Sequence, residues 1–386
     1  MKPETRVIHA PVIDIPDDSR PLNFPVYQNV KWEADTVDDA LGILRGQRPG
    51  YFYSRVSNPT VHQLETVLAS LQGREQCLAT ASGVNAVAQS LLALCRAGDH
   101  VLFFVEGYGP TRAIIRNLLA RYGVTHSMIS IEDHAGIERE LSARPTRLVF
   151  FESPTNPVNK IADIEAIVTL AHQYGALAVL DNTAAGFHQH GEYAIDVFVH
   201  SLTKFTTGAG DVMGGAVIAN RDIIAGMKAD FSILGAQLDP LSASLMLRGM
   251  KSYFLRYRAQ SESATRIAEF LASHPACSKV RYPGFGAGEQ ATLARKQMRD
   301  MGCVVAFDVR AGFEAGRRFA ETLQLFAKTP SFGSAESLVV APQMMQPKEF
   351  TEPQRRDSDI GEGTVRLSIG LESVEDLIAD LDQALR

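Results

Sequence analysis

The sequence predicts an α/β fold, with a large domain built on a mainly parallel sheet covered by helices and a smaller α+β domain after it. Three observations predict it. Val101-Leu102-Phe103-Phe104-Val105, Leu148-Val149-Phe150-Phe151, Leu177-Ala178-Val179-Leu180 and Val197-Phe198-Val199 are short and wholly apolar, as strands are when helices cover both faces of their sheet. Helical periodicity lies between them: Ile161, Ile164, Val168 and Ala171 share one face, and Gly175 stands where a C-terminal cap belongs. Past residue 240 the texture changes to a long helical stretch, then Tyr282-Pro283-Gly284, a strand-like Val304-Val305-Ala306-Phe307 and a terminal helix.

Taken in order, the first fifty or so residues carry Pro11, Pro16, Pro21 and Pro25 and little periodicity. Such a segment rarely stabilises itself, and it is expected to lie against another body, a second subunit being one candidate. Strand and helix alternate from about residue 60. The long helical stretch spans about Ser242–Leu271 and ends near His274-Pro275, and the last helix covers about Val374–Leu385. The chain is therefore divided into an N-terminal arm over 1–50, a large domain over 51–238 and a small domain over 239–386.

Composition narrows the class. Apolar residues make up 45% and charged residues 21% of 386, as in ordinary globular proteins. The 38 basic and 44 acidic residues leave a net charge of −6 with no block of one sign, which disfavours nucleic acid or an anionic membrane as partner. Met1-Lys2-Pro3-Glu4-Thr5-Arg6 lacks the apolar core of a signal peptide, and no apolar run approaches a membrane span. Cys77, Cys95, Cys277 and Cys303 are scattered without CxxC spacing, so neither a metal site nor a disulfide framework is expected. Reduced thiols in the cytoplasm are the plain expectation.

Five loops follow the expected strands, where open α/β sheets bind ligands. Ala81-Ser82-Gly83-Val84-Asn85-Ala86 opens an apolar helix with Ser82 as N-cap; it suits a phosphate, or is an ordinary capped helix. Gly107-Tyr108-Gly109-Pro110-Thr111 sets an aromatic between glycines, either a platform for a planar ligand or a tight turn. Glu152-Ser153-Pro154-Thr155-Asn156-Pro157 offers Asn156 to a ring hydroxyl, or is a rigid turn. Asp181 ends an apolar strand, where it can pair with a protonated ring nitrogen or cap the next helix. In His200-Ser201-Leu202-Thr203-Lys204-Phe205 a lysine follows an apolar strand and two hydroxyl residues. Desolvation there would lower its pKa and make it an amine nucleophile toward an aldehyde. The following Gly208-Ala209-Gly210-Asp211-Val212-Met213-Gly214-Gly215 does not match GxGxxG, so a dinucleotide fold fails here. No single loop decides, but together they supply the parts a pyridoxal-phosphate site needs.

Three further motifs carry a resemblance over nearly the whole chain, from about Pro25-Val26-Tyr27 to the terminal helix. Tyr53-Ser54-Arg55-Val56-Ser57-Asn58-Pro59-Thr60 matches YxRxxNPT, His200 to Lys204 matches HSxTK, and Arg366-Leu367-Ser368-Ile369-Gly370-Leu371-Glu372 matches RxSIGLE. The sequence resembles the Cys/Met-metabolism (trans-sulfuration) family of fold-type I pyridoxal-phosphate enzymes, which includes cystathionine γ-synthase, cystathionine lyases, methionine γ-lyase and homoserine sulfhydrylases. The resemblance implies that Lys204 forms the internal aldimine and moves protons, Asp181 keeps the pyridine nitrogen protonated, and Tyr108 stacks on the ring and assists as acid or base. By the same resemblance Ser82, Gly83, Val84, Ser201 and Thr203 hold the phosphate. Tyr53 and Arg55 reach the phosphate of a neighbouring subunit, a pair within one subunit being the alternative. Arg366 clamps the substrate α-carboxylate, and Ser331 and Asn156 complete the carboxylate and ring contacts. The implied assembly is a homotetramer, a dimer of dimers with shared active sites.

The implied chemistry is elimination of a Cγ or Cβ substituent from a cystathionine-like or homoserine-derived amino acid, through quinonoid and vinylglycine intermediates. The alternative is γ-replacement, by a cystathionine γ-synthase or an O-acyl-homoserine sulfhydrylase; a γ-oxygen-linked leaving group is a further one. Departures from the family pattern concentrate at the substrate end. Pro330 precedes Ser331-Phe332-Gly333-Ser334 where relatives that recognise cystathionine often carry Glu or Tyr, and Met344-Met345-Gln346 stands for MTH. Methionine γ-lyases usually have Cys at the place of Pro110, which speaks against that activity. Gly109-Pro110-Thr111 and Thr183-Ala184-Ala185-Gly186 resemble β-lyases, whereas Asn58-Pro59-Thr60 resembles the γ enzymes. Ala209 replaces a common His, Phe205 a common Tyr, and the Asp181–Lys204 segment is about two residues short. An aminotransferase would share Asp181 and Lys204 but is not expected to carry YxRxxNPT or RxSIGLE. A non-catalytic homologue is expected to have lost Lys204, Asp181 or Arg366.

Overall fold

Alternate residues of the apolar runs belong to opposite faces of one seven-stranded sheet in the computed structural model, which describes residues 21–345 and 350–386. Leu102, Phe104, Val149, Phe151, Leu180 and Phe198 join one apolar cluster, while Val101, Phe103, Leu148, Phe150, Val179, Val197 and Val199 join another. Side chains of a strand alternate in direction, so a strand buried on both sides has no polar position to spare. Each such fully buried Leu, Val or Phe contributes about 1.5–3 kcal/mol relative to exposure.

The strands are β1 Gln76–Thr80, β2 His100–Phe104, β3 Thr125–Ile129, β4 Leu148–Glu152, β5 Leu177–Asp181, β6 Val197–Ser201 and β7 Gly215–Ala219, in the order β1-β7-β6-β5-β4-β2-β3. Only β7 runs against its neighbours β1 and β6; the other pairings are parallel. The carboxyl ends of β1, β2, β4, β5 and β6 therefore open on one edge. There Glu152 stands directly opposite Asp181 in register.

A second sheet holds β8 Cys277–Arg281, β9 Val304–Val309, β10 Ala327–Lys328, β11 Leu338–Val340 and β12 Thr364–Ser368, in the order β10-β11-β12-β9-β8. Its core takes Val365 and Leu367 of β12, with Val305 and Phe307 of β9 and Leu377 and Leu381 of the helix Val374–Leu385. Since Val365 and Leu367 face that core, Arg366 between them faces the other way.

Three expectations need correction. The stretch Ser242–Leu271 is two helices, Pro240–Met250 and Tyr253–Ser273. A Cβ on Gly249 would lie 2.3 Å from the Thr206 carbonyl oxygen and 2.4 Å from Thr207 Cα, so the chain passes hard against the backbone following Lys204 and breaks there. Arg256, in the first turn of the second helix, spans the break, its Nη2 donating to the carbonyls of Phe205, Thr206 and Gly249. Second, the first fifty residues are not wholly irregular, because Val37–Leu44 is helical, started by Thr36 accepting from Asp39 N at 3.1 Å. None of its side chains is buried, and Val37 is 77% exposed, so this helix finds no core among the described residues. Third, Ile161 precedes the helix Ile164–Gln173 and packs instead with Ala185, Ala294 and Met298. Pro11, Pro16 and Gln346 lie outside the described residues. Among those described, no helix is long and apolar enough to cross a membrane.

Candidate active site

The edge where the parallel strands end collects most of the expected site residues. Lys204 lies three residues beyond β6, and burial together with the Arg366 charge lowers its pKa from 10.5 to about 8. Its Nζ donates to Ser331 Oγ at 2.9 Å and stands 5.1 Å from the centre of the Phe332 ring. Ser331 is held at φ +114°, outside the conformations usual for a residue with a Cβ. That conformation lets its hydroxyl meet Lys204 while its carbonyl accepts from Arg366 Nη2 at 2.6 Å. The other end of the guanidinium fork, Nη1, donates to Asn156 Oδ1 at 2.8 Å. Burial lowers the pKa of Arg366 to about 10, which leaves it charged at neutral pH. Its Nε is buried without an acceptor among the described residues.

Two buried acids terminate adjacent strands. Burial raises the pKa of Asp181, while bonds from Thr183 and the Lys204 charge oppose the rise. Its Oδ1 accepts from Thr183 N at 3.1 Å and Thr183 Oγ1 at 2.5 Å, and Thr183 Oγ1 in turn accepts from Ser201 N at 2.8 Å. Glu152 is raised further, by burial first and then by the Asp181 charge. Its Oε2 accepts from Tyr108 N at 2.9 Å and its Oε1 from Asn156 N at 3.0 Å. Tyr108 is 40% exposed at the mouth, and burial followed by Glu152 and Asp181 raises its phenol pKa above 10.

The phosphate expectation falls on a tight junction. Ser82 caps the helix Gly83–Leu94, its Oγ accepting from Asn85 N at 3.1 Å. A Cβ on Gly83 would meet Ser201 Cβ at 2.6 Å, and one on Gly215 would meet the Ser82 carbonyl oxygen at 2.2 Å. Glycine at both places brings the helix start, with Gly83 and Val84, onto the end of β6. Its first amides have no intrahelical acceptor and suit an anion. Thr203 Oγ1 accepts from Gly214 N at 3.1 Å on the same loop.

Tyr53 and Arg55 make their contacts elsewhere. Both are exposed; Arg55 Nη1 donates to the Ser232 carbonyl at 2.6 Å, and its guanidinium lies 5.7 Å from the Tyr53 ring. His200 is structural. Burial drops its pKa to about 3, and Nε2 lies 2.7 Å from Gln72 Oε1 under Phe187.

The family described as Cys/Met metabolism PLP-dependent enzyme matches residues 4–386. The chain belongs to that family. It is 39% identical to L-methionine gamma-lyase of Pseudomonas putida, over 99% of this chain and 96% of that protein. It is 34% identical to O-succinylhomoserine sulfhydrylase of Pseudomonas aeruginosa, over 91% of this chain and 87% of that protein. A crystal structure of a putative O-acetylhomoserine (thiol)-lyase from Campylobacter jejuni, containing N'-pyridoxyl-lysine-5'-monophosphate, superposes with a TM-score of 0.89 at 31% identity. Coverage is 96% of each chain. The fold is thus fold-type I, and the protein is a pyridoxal-phosphate-dependent enzyme of the carbon–sulfur lyase and γ-replacement group.

This chain's residues fit that cofactor. A desolvated lysine, a glycine junction that any Cβ would fill, and a buried guanidinium nitrogen lacking an acceptor converge on one edge. Glu152 and Phe332 were not singled out among the expected site residues. Glu152 meets Tyr108 across 44 residues of sequence, a pairing no local pattern signals; its one cue was an acid at the end of an otherwise apolar strand.

Proposed function

We propose that the protein eliminates a γ-substituent, bonded through sulfur, from an L-amino acid. The observation that carries the reading is the Arg366 fork, fixed by Asn156 Oδ1 and the Ser331 carbonyl while Ser331 Oγ holds Lys204 Nζ. A forked cation orients a carboxylate as well as attracting it, and here it does so beside the one desolvated amine of the cluster.

Lys204, with a pKa of about 8, is neutral in about a tenth of molecules at neutral pH, far more than an ordinary lysine. Its Nζ would hold the cofactor through its aldehyde carbon; once displaced by the substrate amine it would accept the α-proton, pass that proton on, and only then accept one from Cβ. When bound, pyridoxal phosphate supplies an electron sink conjugated to the substrate α-carbon. Asp181 would face the ring nitrogen, and its charge would hold a proton there. Tyr108 would cover the ring and hand a proton to the departing sulfur. Ser82, Gly83, Val84, Ser201 and Thr203 would bind the phosphate. The balance is one water consumed, with 2-oxobutyrate, ammonium and a thiol formed. Similarity to methionine gamma-lyases over 99% of the chain supports γ- over β-elimination.

Similarity to a sulfhydrylase favours a second reading, in which a thiol replaces an O-linked group on a homoserine skeleton. The exposed residues 53 and 55 and the uncovered helix Val37–Leu44 support an active unit of at least two subunits, in a homotetramer with Tyr53 and Arg55 serving the neighbouring phosphate. All four cysteines are free and buried, in keeping with the cytoplasm.

The test is product identification after separate incubation with L-methionine, L-cystathionine and O-acyl-homoserines, with and without a thiol. We expect 2-oxobutyrate and the free thiol. Pyruvate with homocysteine from cystathionine, or thioether formed from the ester without keto acid, contradicts the reading.

A further inference from the structure

We propose that Glu152 is a positioning residue that sets the substrate-carboxylate clamp and the Tyr108 platform together from one buried carboxylate. The proposal rests on the reading above only in taking the ligand to be an α-amino acid.

The geometry is specific to its two oxygens. Oε2 accepts from the Tyr108 amide and Oε1 from the Asn156 amide, so each oxygen is tied to a different loop. Through Tyr108 N the carboxylate fixes the turn between Gly107 and Gly109. Through Asn156 it fixes the residue whose Oδ1 accepts from Arg366 Nη1. The path from Glu152 to the carboxylate clamp is thus two hydrogen bonds long. Thr155, between Glu152 and Asn156, is tied down separately, its N donating to the Lys160 carbonyl at 2.9 Å and its carbonyl accepting from Asn159 N at 2.8 Å. With Thr155 held on its own bonds, the bond from Asn156 N to Glu152 Oε1 fixes the Asn156 end of the loop.

Burying a carboxylate at 6% exposure beside Asp181 is costly. Both its partners are amides that a water or a shorter side chain would satisfy if the turn alone mattered. What the long arm of glutamate adds is reach from the end of β4 to two loops at once, one after β2 and one after β4 itself. Removal of one acceptor is also asymmetric. In Glu152→Gln the amide nitrogen must face one of the two N–H groups, donor against donor, so one of the two loops is pushed away.

The test uses L-norleucine, which has the chain length of methionine and no leaving group, so its binding to the holoenzyme is read from the cofactor's visible absorbance whether or not any substrate is cleaved. Failure of the γ-elimination reading leaves this measurement intact. Half-saturation is compared in wild type, Glu152→Gln, Asn156→Ala and the double variant, with Glu152→Asp as a second probe that keeps the charge and shortens the arm. We expect at least a tenfold rise for Glu152→Gln and a rise for Glu152→Asp. Once Asn156→Ala has already released Arg366, the further effect of Glu152→Gln should be several-fold smaller than in wild type, what remains passing through Tyr108, the non-additivity of residues acting through one another. A Glu152→Gln value within twofold of wild type overturns the proposal, and so does an equal effect in both backgrounds. Loss of cooperative unfolding in both Glu152 variants assigns the carboxylate to folding and overturns it as well.

Discussion

At the scale of the residue, the orienting power of Arg366 depends on its fork. Hydrogen bonds from a charged group are worth about 1.5–3 kcal/mol each, and Arg366 spends one on Asn156 and one on Ser331. Arg366→Lys keeps the charge but cannot span both acceptors with a planar fork. We expect the norleucine half-saturation of that variant to rise at least tenfold, about 1.4 kcal/mol, with the cofactor's own absorbance unchanged; a rise of less than twofold would contradict the clamp. Lys204 gives a pH prediction with a definite sign. Burial lowers its pKa to about 8 in the cofactor-free protein, and only the neutral amine attacks an aldehyde. Reconstitution of apoenzyme should therefore quicken as pH rises through about 8 and level off above it. A rate that keeps climbing in step with hydroxide toward pH 10 would mean an undisturbed lysine.

At the scale of the element, the helix start at Gly83 and the end of β6 are one unit. Gly83→Ala would push a Cβ into Ser201 Cβ at 2.6 Å and Ser201 Cα at 2.8 Å, and a strand backbone cannot yield as a side chain does. We expect a loss of about 1–3 kcal/mol of stability and more than tenfold weaker cofactor binding by absorbance titration. Gly226→Ala, inside the helix Arg221–Leu234 with nothing within 4 Å, is the control and should gain about 0.5–1 kcal/mol. Near-native cofactor affinity in Gly83→Ala would remove the junction from the binding site. The same elements show what a sequence can and cannot disclose. The strands β2, β4, β5 and β6 were legible because burial on both faces writes itself as an unbroken apolar run, and Lys204, Asp181 and Tyr108 were legible because they follow such runs directly. The break between Met250 and Tyr253 was not, since it comes from Gly249 meeting the backbone at Thr206 and Thr207, a contact between distant segments. Glu152 was missed for the same reason: its partner Tyr108 belongs to another loop.

At the scale of the whole molecule, the YxRxxNPT segment is anchored at its Asn58 and Thr60 end, both buried and bonded to residues 25 and 27, while its Tyr53 and Arg55 end and the helix Val37–Leu44 stay exposed. Val37, Leu44, Tyr53 and Val56 are exposed, and Arg55 rests on Ser232 rather than near Lys204. If Tyr53 and Arg55 serve a neighbouring site, Arg55→Ala and Lys204→Ala subunits damage different halves of it. Unfolding the two inactive variants together and refolding them should restore about a quarter of wild-type activity, since half the pairs are mixed and each mixed pair holds one intact site of two. No recovery, with mixed oligomers shown to form, would place both residues in the service of their own chain.

The central claim is that Lys204 carries the cofactor. Its most direct test is borohydride reduction of the holoenzyme followed by digestion and mass mapping. The account predicts the pyridoxyl mass on the peptide containing Lys204 and on no other, and none after reduction of Lys204→Ala; label on a different lysine, or undiminished labelling of the variant, would contradict it.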